Sequence, residues 1–428
     1  MSAMKKIGII VQRYGIEVNG GAEVHARMLA EHLATHYDVT VLTSCAIEYT
    51  TWQPEYPVGE TEVNGIKVIR FNNEPRGPKK LHNYIGRKVR GRHLTQKFHQ
   101  WLGFPDWWIK LFPQAVILDS DHVKWLEVQG PKMPELLTYL RKEINQYDAY
   151  IFFTALYYPT AMGVLSVPEK SILVPTMHDE KASYIPIYQQ VMRAAKWIMF
   201  NTIAEQKFSE QLFSIQHTNK RITGVGIEIF KDHLLPDKKV LDKYKIDCPY
   251  LIYVGRVDRN KGCDVLIRYF LRFIKMYNQP LKLVLVGKNL MGKKIAVNPN
   301  IIMTGFADEH DKNHLMLQAE ALVIPSFYES LSLVLLESFG CAVPGIANGK
   351  TEVLKDHIEH SKGGWAYENY SDFKNALLEL LTKPGAKIEK GLAGYQYVKQ
   401  NYSWEKVTHD FGEAINDVSA AYKKEKSI

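Results

Sequence analysis

Short apolar runs recur along the chain with helical stretches between them. KIGIIV reads as a first strand and a Gly-rich turn follows it. AEVHARMLAEHL then sets Ala22, Ala26, Leu29 and Leu33 at the 4-3-4 spacing of one helix face. YDVTVLT and IKVIRF predict a second and a third strand, and AYIFFT, SILVP and WIMFN predict three more. The rhythm restarts at YLIYVGR and continues through helix CDVLIRYFLRFIKMY, strands LKLVLVG and NIIMTG, helix DKNHLMLQAEA and strand ALVIP. Alternation of strand and helix predicts parallel sheets with crossover helices. Two such series predict an α/β protein with two doubly wound domains facing a cleft, ligands lying at the carboxyl ends of the strands. The apolar rhythm lapses between residues 226 and 248, so the domains are expected over 1–225 and 226–403, followed by a C-terminal helix over 404–428.

Length agrees with this division, since 428 residues exceed what one core holds. The longest apolar runs are strand-length, far below the ~20 residues of a membrane span. Lys5 and Lys6 precede only IGIIV before Gln12 and Arg13, which is no secretory signal. Cys45, Cys248, Cys263 and Cys341 are scattered without metal-ligand spacing, as expected of a reduced, cytoplasmic protein.

Charge adds a feature that the strand pattern does not contain. From Arg76 to Lys110 nine Lys and Arg face one acid, Asp106, which accounts for the whole net charge of +8. This stretch belongs to an insertion over about 76–134 and also holds Trp101, Phe104, Trp107 and Trp108. Cations beside interfacial aromatics suggest contact between 76–110 and an anionic membrane or a charged lipid carrier. The plainer alternative is a solvated, partly helical insertion whose tryptophans pack on the domain. No nucleic-acid motif accompanies the patch, so a nucleic-acid partner is not expected. WLGFPDWW could also stack on carbohydrate, but burial of its rings is the commoner outcome.

The most informative chemistry lies in PSFYESLSLVLLESFG, from Pro325 to Gly340. ALVIP is a buried strand, a polar loop carries Glu329, and a helix from about Ser332 carries Glu337. Between the carboxylates lies a helix N-terminus, whose free N–H groups and dipole favour a phosphate. A carboxylate, an anion site and a second carboxylate suit a sugar, a diphosphate and a ribose in line. YVGRVDRNKG places Arg256 and Lys261 just past another strand end, where two cations could neutralise a diphosphate leaving group. Gly20 and Gly21 precede the first helix and could admit a ligand's phosphates, although taken alone a tight turn needing positive φ is the better explanation. The GxGxxG dinucleotide fingerprint is absent.

His178 follows SILVP at a strand end; a lone histidine there is more often structural, but the strand-end position with Asp179 beside it favours a site role, whereas Asp179 itself could cap the next helix. Asn201 or Thr202 is expected to cap the helix after WIMF. Asp119 and Asp121 share a D-x-D spacing, but they lie in the insertion rather than after a recognisable nucleotide fold, and are read as a loop or cap. No essential metal or other cofactor is predicted.

Together, GGAE, HDE from His178 to Glu180, GRVDRNKG and PSFYESLSLVLLE resemble glycosyltransferase family 4, in this order and across nearly the whole chain. These are retaining nucleotide-sugar transferases of the GT-B fold, with two Rossmann-like domains. The resemblance implies that Arg256 and Lys261 hold the donor diphosphate, Glu329 the sugar hydroxyls and Glu337 the ribose. Backbone amides near Ser330, Leu331, Ser332, Leu333 and Val334 would complete the phosphate site. Gly20 and Gly21 would face donor phosphates or acceptor, and His178 would contact the donor sugar near its reacting carbon. The helix around Trp404 resembles the family's crossover back onto the first domain. The chain departs from the pattern where Ser330, Leu331 and Ser332 follow the first glutamate, and at Lys288 after LVLVG.

The expected function is therefore retaining transfer of a hexose from a nucleotide diphosphate sugar to a sugar or lipid-linked glycan. By resemblance the setting is bacterial cell-envelope, lipopolysaccharide or capsule polysaccharide synthesis, in the cytoplasm or at the inner face of its membrane. A nucleotide-sugar epimerase of the same fold, or a non-catalytic glycan-binding protein, are the alternatives. Product that needs an acceptor separates transferase from epimerase, and donor hydrolysis separates enzyme from binder.

Overall fold

The computed structural model describes residues 4–18, 20–103, 119–230, 235–292 and 298–426. The chain divides into two compact units, one formed by Met1–Gly224 with Val407–Ile428 and the other by Val225–Lys406. Both are α/β units built on a mainly parallel, Rossmann-like sheet.

In the first unit the strands are β1 (Lys6–Ile10), β2 (Asp38–Ser44), β3 (Gly59–Val63), β4 (Ile66–Phe71), β5 (Ala149–Phe153), β6 (Ser171–Val174), β7 (Trp197–Phe200) and β8 (Asn219–Ile222). Among the described residues their order is β3-β4-β2-β1-β5-β6-β7-β8. Only the edge strand β3 runs antiparallel to its neighbour, β4. Asn64 and Gly65 join those two at φ +51° and +77°, the left-handed pair that a two-residue hairpin needs. β5 is buried at every position, because a parallel strand covered by helices on both faces has no solvent side.

The second unit has β9 (Tyr250–Val254), β10 (Lys282–Val286), β11 (Ile301–Gly305), β12 (Ala321–Ile324), β13 (Gly345–Asn348) and β14 (Gly364–Tyr367), in the order β11-β10-β9-β12-β13-β14. The strand order reverses at β9, so the loops after β9 and β12 flank the place where a doubly wound sheet takes its ligands. The helix Cys263–Tyr277 after β9 buries Cys263, Leu266, Phe270 and Phe273 at helical spacing. Asp264 in its first turn and Lys275 in its last complement the helix dipole.

The C-terminal helix runs from Trp404 to Lys426. From Val407 onward it belongs to the first unit, burying Val407, Phe411, Ala414, Ile415 and Val418. Asp410 and Glu413 pair with Arg221, and the Ser419 hydroxyl donates to Asp148 at 2.9 Å.

Candidate active site

In the second unit two loops from separate strands are brought together by a backbone contact. Gly262, at φ +75°, opens the helix Cys263–Tyr277, and a Cβ there would lie 2.5 Å from the carbonyl oxygen of Pro325. Only glycine combines that left-handed backbone with that approach. The consequence is an ion pair: Lys261 Nζ stands 2.8 Å from Glu329 Oε1, both side chains largely covered. The backbone N–H of Lys261 donates to Asp258 at 2.8 Å, and Arg256 Nε lies 3.9 Å from the same carboxylate. Tyr253 fixes the turn by donating to the Arg256 carbonyl at 2.7 Å. Arg256, Lys261 and Glu329 are thus gathered at the strand-order reversal.

The loop that carries Glu329 is tied down from beneath. Asn348 Nδ2 donates to the carbonyls of Pro325 and Ser326, and the Thr351 hydroxyl donates to Ser326 at 2.7 Å. His357 Nε2 lies 2.9 Å from the Leu331 carbonyl. Burial pushes the His357 imidazole down to about 4, so it is neutral near pH 7. A carbonyl can only accept, so Nε2 carries the proton and Nδ1 accepts from the Tyr397 hydroxyl, 3.1 Å away.

The helix itself begins at Leu333 rather than Ser332. Ser332 is the cap residue in the left-handed region, at φ +62° and ψ +62°, and is buried with Leu331. That turn puts the amides of Leu333 and Val334 at the helix head, where the first N–H groups have no intrahelical acceptor. Ser330 is half-buried in the loop before it. Glu337 lies further along the helix, and its carboxylate pairs with Lys312 Nζ at 3.2 Å. Burial raises the Glu337 carboxyl above its ordinary range, and Lys312 opposes the rise. Lys312 loses charge stability by burial, yet the Glu337 and Glu309 carboxylates prevail and raise it. Sequence reasoning missed Lys312; its helix Glu309–Leu317 lies next to β12 in the chain, which is the one available signal.

In the first unit, Gly20 caps the helix Gly21–Leu33 in an extended conformation, φ −87°. The positive-φ turn is therefore not what requires glycine. A Cβ on Gly20 would meet Glu23 Oε2 at 2.0 Å and Arg13 Nη2 at 2.9 Å, whereas one on Gly21 would meet nothing within 4 Å. Arg13 Nε and Nη2 both donate to Glu23 Oε1 in a buried pair, and Gly20 leaves room for it.

His178 stands past the end of β6 in a short turn whose Thr176 has φ +51°. Its carbonyl accepts from the Ser183 hydroxyl and the Glu180 N–H, each at 2.8 Å, and Nε2 lies 3.8 Å from Glu180 Oε2. Burial raises the Glu180 carboxyl, with His178 acting against it. Asp179 accepts from the Tyr184 hydroxyl at 3.0 Å. The turn is held by Glu205, which sequence reasoning left without a role. Its carboxylate accepts from the N–H groups of Met177 and Asn201, both at 2.7 Å, and burial pushes it up to about 8. Thr202, not Asn201, is the helix cap, its hydroxyl accepting from the Glu205 N–H at 3.0 Å. T-x-x-E is the signal that could have pointed to Glu205, although its carboxylate reaches the preceding strand ends instead of closing a capping box.

Asp119 and Asp121 open the helix Asp119–Gln129 instead of lying in a loop, and Asp121 is buried against Lys88 at 2.7 Å. Among the described residues, two clusters could hold a metal ion: Asp308, His310 and Asp311, and His409, Asp410 and Glu413. Lys243 and Tyr244 already bond Asp311, and Arg221 already bonds Asp410 and Glu413. Trp101, which the packed alternative would bury, is exposed; Phe104, Trp107 and Trp108 lie outside the described residues.

Residues 238–396, which include Arg256, Lys261, Glu329 and Glu337, match the family described as Glycosyl transferases group 1. Over 426 residues, 95% of this chain and 96% of the relative, the sequence is 25% identical to an uncharacterized glycosyltransferase of Methanocaldococcus jannaschii. Sucrose-phosphate synthase from Thermosynechococcus elongatus has a similar structure, with a TM-score of 0.68 at 16% identity over 97% of this chain and 100% of that one. Anabaena HepE, solved in complex with UDP and glucose, is similar with a TM-score of 0.64 at 14% identity, again over 97% and 100%. These likenesses establish the fold as GT-B.

Proposed function

We propose that this chain is a retaining glycosyltransferase that uses a nucleotide diphosphate sugar. The observation that carries the reading is the meeting of Lys261 and Glu329 at 2.8 Å where the second sheet reverses its strand order. In this reading Glu329 binds hydroxyls of the donor hexose and Glu337 the ribose. Arg256, Lys261 and the backbone amides from Ser330 to Val334 hold the diphosphate. Charge that develops on the leaving diphosphate is then met by cations and dipoles already in place, which stabilises the transition state more than the ground state. The family match and the glycosyltransferase relative support this class of reaction.

The retaining outcome comes from the resemblance of the motifs. It implies a front-face displacement in which the leaving diphosphate takes the acceptor's proton as the new glycosidic bond forms. His178 is assigned to the donor sugar, and Gly20 and Gly21 to phosphate or acceptor, on the same ground. The acceptor is a sugar or lipid-linked glycan, and the setting is envelope or capsule polysaccharide synthesis in the cytoplasm at the inner membrane face. No metal is required in this mechanism.

A thermal-shift screen of UDP-, GDP- and ADP-sugars tests the reading, because a ligand that binds only the folded state raises its melting temperature. One class should stabilise the wild type and not Lys261→Ala. Product that forms only with added acceptor would then establish transfer. If no nucleotide sugar stabilises the protein and none is hydrolysed, the reading fails.

A further inference from the structure

The helix Lys79–Leu102 changes character along its length. Its first half is part of the first unit's core. Ile85 is 1% exposed, Leu81 packs on the same cluster, and the His82 and Trp125 rings lie 5.5 Å apart. Lys88 ties this half to Asp121. The second half is different: Leu94 is 57% exposed, Phe98 54%, Trp101 79% and Leu102 42%. Positions 94, 98 and 101 fall on one helix face, and 102 continues it from 98. The Phe98 and Trp101 ring centroids are 6.2 Å apart.

The segment that carries this stripe has charge of one sign only. Residues 76–102 contain Arg76, Lys79, Lys80, Arg87, Lys88, Arg90, Arg92 and Lys97, and no Asp or Glu. Among the described residues no helix is long and apolar enough to cross a membrane. A basic helix with Leu94 and Trp101 mostly exposed fits a helix lying in the plane of a membrane surface.

We infer that the helix Lys79–Leu102 docks the first unit on an anionic lipid bilayer. Leu94, Phe98, Trp101 and Leu102 enter the interface while the exposed Lys80 and Arg87 meet lipid phosphates. Trp suits that depth because its ring is apolar and its N–H is polar. Cations near a negative leaflet add attraction that salt screens. Nucleic acid would satisfy the cations but leave Leu94 and Leu102 in water. A second copy of the chain would cover the apolar stripe but set two cation clusters against each other without counter-charge. A bilayer meets both requirements. The inference stands apart from the donor-site reading, and it would keep the enzyme beside a lipid-linked acceptor.

Sedimentation with vesicles tests it, using phosphatidylcholine alone and an equal mixture with phosphatidylglycerol. The wild type should sediment with the mixed vesicles, release as salt rises, and stay in solution with phosphatidylcholine. Arg87→Gln combined with Arg90→Gln and Arg92→Gln should weaken binding about tenfold or more. Lys88 is left in place because it holds Asp121. Leu94→Ser with Trp101→Ser should weaken binding comparably with little change in melting temperature, since both side chains are mostly exposed. The inference is overturned if the wild type ignores mixed vesicles, if it binds both kinds equally, or if either variant binds as tightly as wild type. An RNA gel shift without vesicle binding would overturn it in favour of nucleic acid. No sugar donor enters the assay, so its failure and that of the transferase reading are separable.

Discussion

Lys261 and Glu329 are 68 residues apart in the chain and meet through a 2.8 Å hydrogen bond between side chains. Neither can be changed without altering the other's surroundings. Lys261→Ala should lower kcat/KM by about 2–4 kcal/mol of transition-state stabilisation, the scale of losing one preorganised donor. Arg256→Ala should act in the same direction. Initial rates with the donor found by thermal shift are the measurement, and unchanged turnover in both variants would remove them from the site.

Gly262→Ala should damage the second unit before any ligand is considered. The substitution meets a left-handed backbone, worth roughly 1–2 kcal/mol, and a Cβ contact of 2.5 Å with a carbonyl oxygen. A loss of more than about 2 kcal/mol is expected from the two together, read by urea denaturation with fluorescence. Gly21→Ala is the contrast, because nothing lies within 4 Å of its Cβ position. Its stability should stay the same or rise by up to about 1 kcal/mol, helix propensity favouring alanine. A fall in activity without a fall in melting temperature would mark Gly21 as a ligand contact.

Acid should loosen the Glu329 loop through His357. Its ordinary value of 6.5 is lowered to about 4 by burial. As pH falls below 6.5 the unfolded chain takes up a proton that the folded one refuses. Stability present above that point is lost as pH falls toward 4, at up to about 1.4 kcal/mol per pH unit. His25, lowered to about 3 by burial, contributes in the same direction. Melting temperatures across this range should fall less steeply in His357→Asn, although that variant starts lower for want of its bond to Leu331.

Glu205 gives the opposite sign. Its carboxyl is raised from 4.5 to about 8, so its contribution is full at low pH and declines as pH rises through that window. Glu205→Gln keeps the size but offers one acceptor oxygen where two served Met177 and Asn201. If His178 works on the reacting sugar, this variant should lower kcat by about tenfold or more while donor KM changes little, since a displaced catalytic group can cost that much. Equal effects of Glu205→Gln and Glu205→Ala on stability, with kcat intact, would make the residue purely structural.

The parts of the fold that were legible are those whose apolar runs carry their own signal. YLIYV and ALVI are strands on pattern alone, because both faces are covered. β3, with GETEV largely exposed, and β8, with NKRI, carry no such run, and their strand state comes from the neighbours they pair with. Asn64–Gly65 was the local sign of the β3–β4 hairpin. The short β13 and β14 each begin with glycine, which lowers strand propensity and hides them. At the site, Glu329 and Lys261 were visible as residues in separate motifs, but their contact depends on Gly262 meeting Pro325. Lys312, Asn348, Thr351 and His357 act through backbone groups or partners distant in sequence, which no spacing rule reports. The left-handed Ser332 was unreadable for a related reason: serine has little preference for that conformation, and the anchored loop imposes it.

The membership of the last helix bears on how the protein is made. Residues 407–428 belong to the same unit as residues 1–224, with all of the second unit threaded between them. On the ribosome, the second unit's chain has emerged before the first can complete its core with Phe411, Ile415 and Val418. Of the two units, the one whose chain emerges first is thus the later one finished, and during that interval it exposes the surface meant for that helix. Cutting the gene after residue 224 would not yield the first unit intact. A circular permutant that carries the helix ahead of β1 would be the form to express.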